Sequence, residues 1–261
     1  MIKFIATDMD GTLINDNGKI NEQVFDIIAK LNKRNIIFAA ASGRFYSQLK
    51  VNFQKVKNDM IFIAHNGAFV KYNNDGEVLY SQSISKENVQ SVLELKPNLG
   101  EILILAGENE PHIVNPSQYI MNIFHKVKVP VVILNSLDEM KEPVYKISYH
   151  MPSGVTEEMI NYLNENLNHE LEFVVSGREW IDIMNKGTSK GNAIKIIQEK
   201  FNIDSKNTMV FGDYYNDLSM FKVAHYSYAM GNAPEDVKKG ANFVAKTNNE
   251  DGVYNVLKEY A

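Results

Sequence analysis

The chain has no cysteine among its 261 residues. That absence excludes disulfides, thiolate metal sites and a cysteine nucleophile together, and it fits a reducing compartment. There is no excess of positive charge either: 27 Lys and Arg stand against 32 Asp and Glu, a formal net charge of -5. Recognition of a phosphate backbone needs clustered Lys and Arg, so nucleic acid is not an expected partner. No apolar stretch approaches the roughly 20 residues of a membrane span. The opening MIKFIATDMDG lacks the apolar core and small-residue cleavage site of a signal peptide. The expectation is a soluble, cytoplasmic protein with no membrane contact. Internal repeats and low-complexity segments are missing, and no G-x-G-x-x-G follows the first apolar run, which sets dinucleotide binding aside. What remains is ordinary globular usage, 44% hydrophobic and 23% charged, which excludes a disordered chain.

The apolar runs IKFIATD, IIFAAASGR and MIFIAHNGA are short, rich in strand formers and without polar alternation, as strands of a parallel sheet covered on both faces would be. Helical spacing separates them, with Val24, Ile27, Ile28 and Leu31 on one stripe of the first helix. The same grammar returns after residue 186 in SKGNAIKIIQEKF, TMVFGD, NDLSMFKVA, YSYAMG, APEDVKKG, NFVAK and DGVYNVLKEY. Between these parts the strands alternate better and are joined by short turns such as SGR. This predicts an α/β core, residues 1–82 and 186–261, interrupted by an α+β module, residues 83–185, with a mainly antiparallel sheet and helices on one face.

In an open parallel sheet, ligands bind beyond the carboxyl ends of the strands. Four polar clusters fall at such ends: Asp8 with Asp10; Ser42, Gly43 and Arg44; His65, Asn66 and Gly67; Gly212 with Asp213. Taken alone, DMDGT reads equally as a strand-ending turn in which Asp10 and Thr12 bond the local backbone. It is not a calcium loop: with Asp8 at the first position, Leu13 stands where the invariant Gly belongs and Lys19 where the bidentate Glu belongs. Asp213 and Asp217 would add carboxylates at the same rim, and like charges at that range need compensation. An all-oxygen ligand set without cysteine points to Mg²⁺, which also accepts substrate phosphate oxygens. A phosphate further favours a Lys, a hydroxyl and the N–H groups at a helix start. Lys190 in TSKGNA, with Thr188 or Ser189 as cap, and Ser42 supply these.

In this order, DMDGTL, ASGR, SKGNAI and GDYYND resemble the four motifs of haloacid dehalogenase-like phosphohydrolases. The inserted module and the tail AMGNAPEDVKKGANFVAKTNNEDGV resemble the Cof-type, subfamily IIB members, sugar-phosphate phosphatases in the best-known cases. The resemblance implies a doubly wound, mostly parallel, Rossmann-like core with an inserted α+β cap. It implies a nucleophilic Asp8 that forms an aspartyl-phosphate, and Asp10 as general acid and then base, with a pKa nearer neutrality than that of Asp8. Mg²⁺ would lie between Asp8, the backbone carbonyl of Asp10 and Asp213, with Asp217 behind orienting waters or Lys190. Ser42, Gly43, Arg44, Asn66, Lys190 and Asn216 would hold or face the phosphate, Arg44 leaning to a positioning role. Tyr214 and Tyr215 depart from the Gly that many members carry after the motif-four Asp. Arg178 and Trp180 are candidates to face substrate or simply cap turn and core. The crossings near residues 80–84 and 184–188, with Gly187, would serve as hinges, and the module would set specificity for small phosphorylated polyols or sugars.

The expected partner is therefore a small phosphate ester, acted on by a monomer or homodimer. Two other readings stay open on the sequence: a phosphomutase or phosphotransferase of the same superfamily, and a non-enzymatic phospho-accepting protein of the receiver type. The latter place their phospho-acceptor on a later strand than the acidic pair and lack an inserted module.

Overall fold

A computed structural model describes residues 1–57, 59–99, 102–127, 130–176 and 178–260. The first apolar run is strand β1 (Phe4–Asp8), buried along its length. Helix α1 (Gln23–Lys33) buries Val24, Ile27, Ile28 and Leu31, the stripe its spacing dictates. Strand β2 (Ile37–Ala41), helix α2 (Tyr46–Asn52) and strands β3 (Ile61–Ala64), β4 (Phe69–Tyr72) and β5 (Val78–Ser81) follow. Next come α3 (Lys86–Leu99), β6 (Ile102–Ala106), β7 (Pro111–Val114), α4 (Gln118–Val127), β8 (Val132–Leu134), β9 (Lys146–His150), α5 (Glu157–Asn166), β10 (Leu171–Val175) and β11 (Trp180–Asn185). The chain closes with α6 (Lys190–Phe201), β12 (Thr208–Gly212), α7 (Leu218–Phe221), β13 (Tyr226–Ala229), α8 (Glu235–Lys238), β14 (Phe243–Val244) and α9 (Gly252–Leu257). Two units result, Met1–Ser81 with Thr188–Ala261, and Gln82–Gly187. No helix among the described residues is long and apolar enough to cross a membrane.

The sheet of the first unit runs β14-β13-β12-β1-β2-β3-β4-β5. It is parallel from β14 to β3. Because β1 is flanked by β12 on one side and β2 on the other, the order reverses there and the loops leaving β1 and β12 diverge to leave a crevice. One face carries Ala6, Ala39 and Ala41, small residues that let Ala193, Ile194 and Ile197 of α6 join the same buried cluster. On the other face Phe62 meets Tyr46 and Phe53 at ring distances of 5.6 and 5.8 Å. The antiparallel hairpin β4–β5 extends the sheet beyond the three predicted strands. Its register shifts between Val70 and Lys71, which breaks the alternation by which a strand is recognised.

The second unit has the sheet order β10-β11-β9-β6-β7-β8, antiparallel throughout except for β7 with β8. The expectation of helices on one face is corrected. Leu103 and Leu105 pack with α3 and α5 through Val89, Val92 and Leu163, but Ile102 packs with Ile113 and with Ile120 of α4. Alternate residues of β6 point to opposite faces, so α4 lies on the other side. Its placement follows from the parallel β7–β8 pair, which cannot be joined by a tight turn and needs a crossover element. Glu101, at the head of EILILAG, and Gly177, in the turn SGR, lie outside the described residues.

The closeness of α6 to the sheet generates a test. Ala39 is fully buried, so Ala39→Leu should overpack this layer and cost about 1–3 kcal/mol. A urea midpoint unchanged from the parent protein would contradict the packing described.

Candidate active site

Asp8 ends β1 level with Ala41 of β2. The chain then turns at once: the N–H groups of Thr12 and Ile14 both donate to the Met9 carbonyl. Gly11 sits at φ +77°, and a Cβ there would overlap the Asp213 carboxylate. Glycine thus serves both the left-handed backbone and the approach of Asp213. The Thr12 hydroxyl donates to Asp213 Oδ1 at 2.9 Å, so it joins the turns after β1 and β12 instead of bonding locally. Asn232 Nδ2 donates to the Gly11 carbonyl at 2.8 Å and ties the same turn to the loop after β13.

Lys190 begins α6, where the Ser189 hydroxyl accepts the Asn192 N–H at 3.1 Å. The Lys190 side chain is 1% exposed. Its ammonium donates to Asp8 Oδ1 at 2.5 Å and to Asp217 Oδ1 at 2.7 Å. Asp217, also buried, accepts the N–H groups of Asp213 and Tyr214 on Oδ2 at 2.9 and 3.2 Å. Both Asp217 oxygens are engaged. Asp8 Oδ2 and Asp213 Oδ2 accept no hydrogen bond among the described residues.

Asp8, Asp213 and Asp217 each offer an oxygen within 4.8 Å of the others. Fully ionised, three carboxylates and one ammonium leave a net charge of -2 in a buried space. The titration directions follow. Burial pushes Asp8 up to about 8; Lys190 opposes this, while Asp217 and Asp213 add to it. Burial and then Asp217 push Asp213 up to about 6, against the Thr12 hydrogen bond. For Lys190, burial alone would lower the value, but Asp217 and Asp8 outweigh it and keep the side chain cationic. Asp8 is strongly raised because it is the carboxylate that folding removes from water. A hard divalent cation fits the donor set: the ligands are all oxygen, and two positive charges cancel the excess.

Ser42 follows β2 and is buried; its hydroxyl accepts the Arg44 N–H at 3.2 Å, and its carbonyl accepts the Asn66 N–H at 2.9 Å. Gly43 lies against the Asn66 amide. Asn216 Nδ2 donates to Asn66 Oδ1 at 3.3 Å, so Gly43, Asn66 and Asn216 meet at one place. Arg44 reaches the other carboxylate of the pair. Its Nε and Nη2 donate to Asp10 Oδ2 and Oδ1 at 2.8 and 2.5 Å, and Nη1 donates to Asn52 Oδ1 of α2 at 3.1 Å. The Asp10 side chain is 60% exposed, against 9% for Asp8, so one motif supplies two unlike environments.

The remaining candidates are placed more simply. His65 is buried at φ +50° with its ring edge-on to Phe45 at 5.1 Å. Tyr214 and Tyr215 are exposed, 5.0 Å apart, and the Tyr215 hydroxyl donates to Asp236 at 2.9 Å. Trp180 belongs to the second unit, where it lies 4.4 Å from the His150 ring; the Arg178 carbonyl there accepts the Val155 N–H. Asn52 and Asn232 were not expected, and only Asn232 lay in a segment with a motif, MGNAPED.

The sequence profile of the haloacid dehalogenase-like hydrolases matches residues 5–257. The chain is 28% identical over 263 residues to the 5-amino-6-(5-phospho-D-ribitylamino)uracil phosphatase YbjI of Escherichia coli K12, covering 98% of this chain and 95% of that protein. It is 32% identical to the crystal structure of SMU.1108c from Streptococcus mutans, with a TM-score of 0.84 and coverage of 100% and 99%. It is 26% identical to the HAD subclass IIB sugar phosphatase BT4131, with a TM-score of 0.80 and coverage of 99% and 98%. With DMDGTL, ASGR and GDYYND at strand ends and SKGNAI at the start of α6, the chain belongs to the haloacid dehalogenase-like hydrolases, Cof-type subclass IIB, and is a phosphoric monoester hydrolase.

Proposed function

We propose that the chain is a Mg²⁺-dependent phosphatase of small phosphate monoesters, sugar phosphates in particular, acting through an aspartyl-phosphate on Asp8. The observation that carries this reading is the buried Lys190 ammonium shared by Asp8 and Asp217, with Asp213 alongside. A carboxylate so held is aimed and stripped of water, which suits it to attack phosphorus. Asp8 forms the O–P bond as the ester oxygen departs, and Asp10 protonates that oxygen. Asp10 then takes a proton from the water that attacks the acyl phosphate, which returns free Asp8 and inorganic phosphate. Ser42, Lys190 and the N–H groups of the two turns are the donors for phosphate oxygens, beside Gly43, Asn66 and Asn216. Asp8, the Asp10 carbonyl and Asp213 would hold the cation, which when bound offsets the charge of the phosphoryl group.

The substrate class rests on two names. The Escherichia coli relative is named for a phosphorylated ribityl compound and BT4131 for sugar phosphates, so phosphorylated polyols are common to both. The inserted unit, Gln82–Gly187, is the part we assign to choosing the leaving group.

A panel of phosphate monoesters with Mg²⁺ should release phosphate, fastest from polyol and sugar phosphates, and EDTA should abolish it. Asp8→Asn should lower turnover by at least about 10³-fold by removing the nucleophile. Activity surviving in that variant would disprove the assignment of Asp8.

Arg44 permits a sharper test, because positioning Asp10 and binding phosphate predict different kinetics. Its two N–H groups fix both Asp10 oxygens, and Lys cannot reproduce that fork. Arg44→Lys should therefore lower kcat about 10-fold, less than the roughly 10²–10⁴-fold of a lost acid–base group because Asp10 itself remains, while KM moves little. A raised KM with kcat intact would assign Arg44 to the phosphate instead.

The raised carboxyls fix the pH dependence of stability without metal. A group whose folded-state value lies above its ordinary 3.8 favours the folded form below that value. The contribution is lost as pH rises through about 6 for Asp213 and about 8 for Asp8. In EDTA the thermal midpoint should fall from roughly pH 5 to pH 9, and saturating Mg²⁺ should flatten the fall, its affinity growing with pH. Parallel profiles with and without Mg²⁺ would rule out a cation at these carboxylates.

A further inference from the structure

A second cluster of metal-ligating side chains lies in the inserted unit, where Glu110, His112 and Glu142 each present a ligand atom within 4.8 Å of the others. Glu110 closes the turn between β6 and β7, His112 is on β7, and Glu142 is on the segment leading to β9. None of the phosphatase chemistry uses them.

His112 is the informative member. Ile113 packs with Ile102 and Ile120, so the pleat turns His112 to the opposite face, in register with Leu105. The residue is 5% exposed, and its Nδ1 is buried without a hydrogen-bond partner. Its Nε2 faces Glu142 Oε1 at 3.5 Å. An N–H···O hydrogen bond would settle near 2.9 Å. For two ligands of one four-coordinate ion, with bonds of about 2.1 Å to N and O, the expected N···O separation is about 3.4 Å. A cation between Nε2 and Oε1 would engage both atoms at that separation.

The surroundings hold Glu142 in place. Glu142 Oε2 accepts the Glu108 N–H at 2.8 Å, which orients the carboxylate and leaves Oε1 toward the ring. A Cβ at Gly107 would overlap Glu142 Oε2 and stand 3.0 Å from His112 Cε1. Glycine at this turn is what lets the carboxylate and imidazole meet. Among the described residues, neither Glu110 nor Glu142 pairs with a Lys or Arg.

We propose that His112, Glu142 and Glu110 form a binding site for a divalent cation of the zinc class, through one imidazole nitrogen and two carboxylate oxygens, with water completing the shell. The ion clips the β6–β7 turn to the segment before β9. The mixed nitrogen and oxygen set separates it from the all-oxygen aspartate cluster, since imidazole suits Zn²⁺ and Co²⁺ whereas carboxylates with water suit Mg²⁺. The proposal does not depend on the phosphatase reading.

Co²⁺ is the probe, titrated into the full, metal-stripped chain with Mg²⁺ saturating the aspartate site. One equivalent should bind, with the strong visible absorption of four-coordinate Co²⁺, and should raise the thermal midpoint. Glu142→Gln and the exposed Glu110→Gln should each weaken binding by about 10-fold or more, the scale on which even supporting residues act. His112→Gln should abolish the absorption. Should that variant fail to fold, the two Glu variants and the parent spectrum decide. No visible absorption in the parent chain, or Co²⁺ affinity equal in both Glu variants and the parent, would overturn the site and leave a plain His112–Glu142 ion pair.

Discussion

Lys190 is the constraint on which the rest of the site depends. A buried ammonium is tolerated only when its charge is answered by well-placed acceptors, and here Asp8 and Asp217 answer it. The three residues come from β1, the start of α6 and the turn after β12. Satisfying one charge therefore fixes three segments far apart in sequence. Removing one member of such a buried pair costs about 3–5 kcal/mol, because the partner is left uncompensated. The ammonium does not close the balance, however. It answers two carboxylates and leaves a third, Asp213, held by a hydroxyl, and that deficit makes the place attractive to a cation.

In the proposed reaction the same arrangement divides labour between Asp8 and Asp10. They are two residues apart, yet one is withdrawn from water beside an ammonium and the other stands in solvent against a guanidinium. A nucleophile benefits from being stripped of water and held still. A group that must give and later take a proton benefits from access and from a donor that fixes its direction without enclosing it. The tight turn after β1 produces both conditions, because Gly11 reverses the chain immediately after Asp8. Two carboxylates in unlike environments thus need only one motif.

Much of this was legible in the sequence because it depends on local patterns. Unbroken apolar runs ending in polar residues marked β1, β2, β3 and β12, and parallel pairing then brings their ends to one edge. The module between them showed as a change in alternation. The hairpin β4–β5 did not show, since a register shift blurs its pattern, and the two-sided placement of the module's helices did not show because a crossover depends on which strands pair, which periodicity does not encode. Asn52 and Asn232 act through side-chain bonds to residues 8 and 221 positions away in sequence, and ordinary loop or helix asparagines look the same. The pairing of Arg44 with Asp10 was hidden for a like reason: the motif fixes the residue types, but only the turn geometry fixes which anion the guanidinium meets.

The point at which the module leaves and rejoins the core also has a physical reason. The loops after β1, β2, β3 and β12 all carry candidate site residues, and the inserted unit uses none of them. The module instead departs after β5 and returns at Thr188, two residues before Lys190. That junction would be hazardous if α6 were loosely held, since movement at Thr188 would pull on the ammonium. It is instead pinned from three sides: the Ser189 hydroxyl caps the helix, the Gly191 N–H donates to Ser219 Oγ at 3.1 Å, and Ala193, Ile194 and Ile197 lie in the buried cluster with the sheet. The sequence SKGNAI thus does two things within one helical turn, anchoring the return of the inserted unit and presenting the charge that organises the site.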